Sequence, residues 1–177
     1  MYIETYEVRF EIFNIQKVKN EILNYFDIKK HYFSEYFVKD IYIKNKYKHL
    51  ENIRLRVENG KKYLVYKLKK NLNNSIKDDF YILDLESFFF LEKDIFFLVE
   101  KNRMEYDLID FKILIDTNIK IKINNGIICY QNVIEFEYYK HENKDKIKEI
   151  IKFFKNKKFI SSMSIKSTYQ KVLNETT

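Results

Sequence analysis

Charged residues recur at every second position in several apolar stretches of this 177-residue chain. Glu7, Arg9 and Glu11 alternate with Val8 and Phe10 near the start. Arg54 and Arg56 flank Leu55, and Lys67 and Lys69 flank Leu68. Lys101 and Arg103 repeat the spacing, as do Lys120 and Lys122, and Glu135 and Glu137 bracket Phe136. A side-chain period of two puts each pair on one face of a β-strand. The plain reading is a sheet with a salt-bridged face in water. The sharper reading starts from order: acidic pairs lie at the two ends of the series and basic pairs fill its middle. If the sheet closes on itself, that face becomes an interior, where unpaired charge is costly. A polyanion bound together with a divalent cation would satisfy both signs. Carboxylates hold a hard cation such as Mg2+ or Mn2+, and Arg and Lys clamp phosphate oxygens.

The elements that must position these residues follow from periodicity. Residues 5–13 alternate as a strand. Ile15, Val18, Ile22, Leu23 and Phe26 have helical spacing and predict a helix over 15–27. "KDIYIKN" reads as a short strand. "NIRLRVENGKKYLVYKLKK" reads as a hairpin, because Asn59-Gly60 tolerates the positive φ angles of a type I′ turn. Asn125-Gly126 predicts a second hairpin between "NIKIKI" and "IICYQNVIEFEYY", with "FKILID" a strand before it. Ile147, Ile150, Ile151 and Phe154 predict a helix over 144–156, and "SIKSTYQKVLNE" a last one. About eight strands with few helices point to an α+β domain: an antiparallel barrel or large curved sheet with helices outside. Ile53, Leu55, Leu68, Ile134 and Phe136, on the opposite faces, are expected to pack against those helices.

Composition narrows the function classes. The chain is 46% hydrophobic and 33% charged, so it is expected to fold as one domain over 1–177. Its formal net charge of +7 favours anionic partners. Cys129 is the only cysteine, which excludes an intrachain disulfide and a cysteine-based zinc site. It is expected to pack in the interior. A reducing, cytoplasmic location is expected, with no signal peptide and no membrane span. His31, His49 and His141 are scattered without ligand spacing, Asp84 and Glu86 share a strand face, and the two Asn-Gly pairs lack the context of a phosphate loop. Aromatics, at 18%, are expected to serve the core rather than base stacking.

At the charged positions the chain resembles the CYTH domain, the triphosphate tunnel metalloenzyme superfamily. Thr5-Tyr6-Glu7-Val8-Arg9 is similar to that family's opening Glu-x-Glu-x-Lys/Arg strand, with Thr5 where the first Glu is expected. Asp40-Ile41-Tyr42 resembles its Asp-x-Tyr strand, and "IRLRV" its Leu-Arg-x-Arg strand. Lys67 matches the basic residue of the returning strand, and Lys101-Asn102-Arg103 the Lys-x-Arg strand. Asp116 matches the aspartate that begins the next hairpin, Glu135-Phe136-Glu137 the late Glu-x-Glu, and Lys166 to Tyr169 the closing helix.

The resemblance implies a closed eight-stranded antiparallel tunnel barrel with helices packed outside. It also implies a metal-dependent phosphohydrolase acting on a triphosphate: inorganic, nucleoside, thiamine or the 5′ end of RNA. Glu7, Glu135 and Glu137 would hold Mg2+ or Mn2+. Arg54, Arg56, Lys67, Lys69, Lys101 and Arg103 would bind phosphates, and Glu7, Arg9 and Lys67 would act in catalysis, with Arg9 at the far end of the tunnel. The alternatives in the same fold are a class IV-type adenylyl cyclase and a non-catalytic module for triphosphates or RNA ends. Thr5 removes one carboxylate from the expected metal site. Thr5→Glu is therefore expected to raise metal-dependent turnover at limiting metal, read as phosphate release against Mn2+ concentration; an unchanged curve would place Thr5 outside the site.

Overall fold

The alternating stretches form antiparallel strands in a computed structural model, which describes residues 2–26, 33–44, 50–68, 77–84, 94–108, 111–123, 126–138, 144–165 and 172. Among these residues the strands are β1 (Tyr2–Glu11), β2 (Phe33–Ile43), β3 (Leu50–Glu58), β4 (Lys61–Leu68), β5 (Lys77–Asp84), β6 (Ile95–Asp107), β7 (Phe111–Ile123), β8 (Gly126–Cys129) and β9 (Val133–Tyr138). The helices are α1 (Ile15–Phe26) and α2 (Lys144–Asn156). The sheet order is β6-β2-β3-β4-β5-β1-β9-β7-β8, and β6 also pairs with β7.

Local chemistry accounts for the connections. Asn59 (φ 49°) and Gly60 (φ 74°) both take left-handed backbone, as the tight β3–β4 turn requires. Asn14 starts α1: its Oδ1 accepts from the Lys17 backbone N–H at 3.0 Å, satisfying a donor the helix leaves open. Val18 and Ile22 of α1 and Ile147, Ile150 and Phe154 of α2 are buried, and they meet Phe10, Ile134, Phe136, Ile113 and Ile115 from β1, β9 and β7. The even-numbered residues of β1 and β9 thus face the helices, and Glu7, Arg9, Glu135 and Glu137 take the other face.

The structure differs from the sequence reading at several points. "FKILID" and "NIKIKI" are one strand, β7, carrying a bulge. Arg103 lies opposite Asp116 and Asn102 opposite Thr117, whereas Glu100 lies opposite Lys120. The extra residue is Asn118, at φ 51°. One inserted residue reverses the faces beyond it. Ile119 and Ile121 turn into a second buried cluster with Tyr42, Phe97, Val99, Val133 and Val172. Lys120 and Lys122 turn outward, where Lys122 pairs with Glu100 at 2.8 Å. They do not extend the charged face of Lys101 and Arg103. "IICYQNVIEFEYY" divides into β8 and β9. Cys129 is exposed rather than packed inside, because among the described residues β8 pairs only with β7. Ile134 and Phe136 meet the helices as expected, but Ile53 packs instead with Leu64 in a small separate cluster. The strand at "KDIYIKN" begins earlier, at Phe33. Lys69, Glu86, the three histidines and Lys166 to Tyr169 lie outside the described residues. No helix among the described residues is long and apolar enough to cross a membrane.

Phe154 is fully buried between α2 and the sheet. Phe154→Ala is expected to cost about 3–5 kcal/mol, through lost transfer energy plus a residual cavity. Chemical denaturation reads this directly, and a loss below about 1 kcal/mol would mean that α2 does not anchor the sheet.

Candidate functional site

Strand register brings the alternating charges together on the face away from the helices. Asp40 of β2 lies opposite Arg56 of β3. The Arg56 guanidinium grips it with two bonds, Nε to Oδ1 at 2.8 Å and Nη2 to Oδ2 at 2.9 Å. Arg54 Nε stands 3.7 Å from the same carboxylate. Its Nη1 donates to the Tyr42 hydroxyl at 3.0 Å. On β6 and β7, Arg103 holds Asp116 in the same way, at 2.7 and 2.8 Å. Lys101 Nζ donates to Asp116 at 2.5 Å.

These are charge-assisted, geometrically fixed pairs. Burial alone would raise the two aspartates, but the guanidiniums beside them hold both well below the usual carboxylate range. Arg56 and Arg103 are raised in turn, because their carboxylates outweigh the burial that would lower them. Burial, with Arg103 next to it, pushes Lys101 down to about 8. A guanidinium held through one edge keeps donors on its other edge for a second acceptor. Each basic pair is thus held in position by a carboxylate at its root, with donors left for a further acceptor.

The acidic end is built differently. Arg9 of β1 lies opposite Glu135 of β9, and Glu7 lies opposite Glu137. Arg9 bridges two carboxylates, donating from Nη2 to Glu7 at 2.8 Å and from Nε to Glu135 at 2.9 Å. It therefore stands among the acids and not at a remote end. Lys67 Nζ approaches Glu7 at 3.5 Å, and Arg103 Nη2 approaches Glu135 at 3.7 Å. The Glu7–Glu137 pair sets like charges directly across two strands, an unfavourable arrangement. Burial first, then Glu135 and Glu7, push Glu137 up to about 7. Lys112 is opposite Glu137 on β7, but its Nζ lies on Glu105 at 2.5 Å. The Tyr36 hydroxyl also donates to Glu105.

Three carboxylates on adjacent strands supply the oxygen donors a hard divalent ion takes, and a cation there would favour the charged form of Glu137, which burial and then Glu135 and Glu7 disfavour. In chemistry the donor set fits. In arrangement Arg9 already occupies the Glu7–Glu135 gap, and among the described residues no group of three side chains stands ready as a metal cage. An ion at this place would therefore compete with Arg9 for the same carboxylates.

The expected residues Glu7, Arg9, Arg54, Arg56, Lys67, Lys101, Arg103, Glu135 and Glu137 share this network. Thr5 is placed by its backbone alone, opposite Asp78 of β5. Sequence reading aligned Asp40 and Asp116 with family positions but gave them no part in the site, and it missed Tyr36, Glu105, Lys112 and Asn52. Their two-residue spacing from other inward positions was the available signal.

No protein-family model matches the chain. No curated protein matches it by sequence. Solved structures do match in fold. A conserved hypothetical protein of Pyrococcus furiosus is similar with TM-score 0.67 and 18% identity, over 94% of this chain and 98% of that one. A candidate adenylate cyclase of Bacillus halodurans gives 0.61 and 14%, over 96% and 97%. The RNA triphosphatase domain of a mimivirus mRNA capping enzyme gives 0.54 and 13%, over 83% and 86%. The chain shares the fold of these proteins, which include a candidate adenylate cyclase and an RNA triphosphatase domain.

Folded protein holds a proton on Glu137 that the unfolded chain has released between pH 4.5 and about 7, so this group's contribution to stability is lost as pH rises through that window. In metal-free buffer Glu137→Gln is expected to gain stability relative to wild type across the same range, measured by denaturation at successive pH values. Parallel curves would mean that Glu137 titrates as an ordinary carboxylate.

Proposed function

We propose that the chain is a divalent-metal-dependent triphosphatase whose substrate lies along the buried charged face. We further propose that this face lines a closed tunnel; the additional β6–β7 pairing supports the closure. The observation that carries the reading is the contrast between the two ends of the face. Arg56 with Asp40 and Arg103 with Asp116 are neutralised clamps, whereas Glu137 stands directly across from Glu7 with Glu135 on its own strand, three carboxylates gathered at one end of the face. A triphosphate brings acceptor oxygens for the first and a metal counterion for the second.

In this reading Arg54, Arg56, Lys67, Lys101 and Arg103 bind and orient the phosphate chain, with Lys69 a further candidate. Glu7, Glu135 and Glu137 would hold Mg2+ or Mn2+, and the ion would supply charge withdrawal from the terminal phosphoryl group. Water oxygen forms the new bond to phosphorus as the bridging P–O bond breaks in line. The basic residues meet the charge that develops on the equatorial and leaving oxygens. Arg9 neutralises Glu7 and Glu135 in the absence of the ion. Phosphoryl transfer of this kind requires no covalent nucleophile from the chain.

The test is a panel of inorganic, nucleoside, thiamine and RNA 5′ triphosphates with Mg2+ and Mn2+. Metal-dependent phosphate release is expected, lost on the order of 100-fold or more in Glu135→Gln. Arg56→Ala is expected to raise KM about tenfold or more, the loss of a charge-assisted bond. Pyrophosphate release with a cyclic product would instead mark a cyclase. Tight binding without product would make the chain a triphosphate-binding module.

A further inference from the structure

Asn52 stands on the same face of β3 as Arg54 and Arg56, and lies opposite Lys67 of β4. It is 2% exposed. The buried charged residues of this face all have ionic partners: Glu7 and Glu135 with Arg9, Asp40 with Arg56, Asp116 with Arg103, and Lys67 with Glu7. Asn52 differs, being neutral, and its Oδ1 is buried with no hydrogen-bond partner among the described residues. Such orphan acceptors are rare in folded proteins, because water is lost and nothing replaces it. Phosphate oxygens are acceptors and cannot complete this one. A hydroxyl or an N–H group can. Successive inward residues of a strand are about 7 Å apart, so Asn52 meets the part of a ligand beside the phosphates held by Arg54 along the strand and by Lys67 across it.

We infer that Asn52 is a specificity-determining residue that accepts a hydrogen bond from a neutral donor attached to the phosphate chain, so that the site favours an organic triphosphate over inorganic triphosphate. This rests on the triphosphate reading above. The donor is a sugar hydroxyl or a base N–H, and the two sources share one chemistry at Asn52. Removing the acceptor removes the preference and leaves the phosphate clamps as they are.

Binding of ATP, 2′,3′-dideoxy-ATP and inorganic triphosphate is compared in EDTA for wild type and for Asn52→Leu, which keeps the shape of the side chain. The ratio of ATP affinity to inorganic triphosphate affinity is expected to fall about tenfold in the variant, as loss of one hydrogen bond implies. Affinity for inorganic triphosphate is expected to stay constant, and the thermal midpoint to hold or rise. Dideoxy-ATP behaving like inorganic triphosphate in wild type assigns the donor to the sugar; behaving like ATP assigns it to the base. An unchanged ratio, an equal loss for all three ligands, or an unfolded variant would each overturn the inference. Wild-type protein that binds none of the three would overturn the triphosphate reading itself, whatever Asn52→Leu does.

Discussion

Charge removed from water must be matched by charge close at hand, and in this fold strand register does the matching. Asp40 meets Arg56, Asp116 meets Arg103 and Glu135 meets Arg9 because each pair lies directly across two hydrogen-bonded strands. A slip of one residue in any of these ladders would turn one partner to the other face and leave the remaining one buried alone. The charged face therefore specifies pairing as strongly as the apolar face does. It also fixes the guanidiniums of Arg56 and Arg103 in place, each by two bonds to one carboxylate.

The apolar face contributes to the same end. Ile134 and Phe136 are fully buried against the helices, and they alternate with Glu135 and Glu137 along β9. Phe10 does this for Arg9 and Glu11 on β1. The helices thus hold the backbone from one side while the carboxylates are presented on the other. A site built this way draws its precision from ordinary core packing.

Much of this was legible from alternation alone, because a period of two assigns a face without knowledge of the fold. That reasoning placed Arg54 with Arg56 and Glu135 with Glu137. It could not say which acid meets which base, since Arg9 and Glu135 are 126 residues apart in sequence. It also failed where the period itself breaks. Lys120 and Lys122 continue the rhythm of Asp116 on paper, and Asn118 reverses it in the chain. Cys129 was assigned to the interior by residue type, but its strand sits at the margin of the sheet. Asn52 was overlooked because a neutral residue in an Asn-rich composition attracts no notice until its burial is known.

The bulge at Asn118 divides β7 into two lengths of chain that obey opposite rules. Before it, even-numbered residues lie on the charged face; after it, odd-numbered residues answer to an apolar cluster. Substitutions within either half can drift one at a time, but loss of Asn118 would exchange the inner and outer residues of the second half at a stroke. Sequence divergence in this fold should therefore preserve the length of the strand at that point more strictly than the identity of most residues along it, and a comparison of distant relatives that ignores the offset would align lysines with isoleucines.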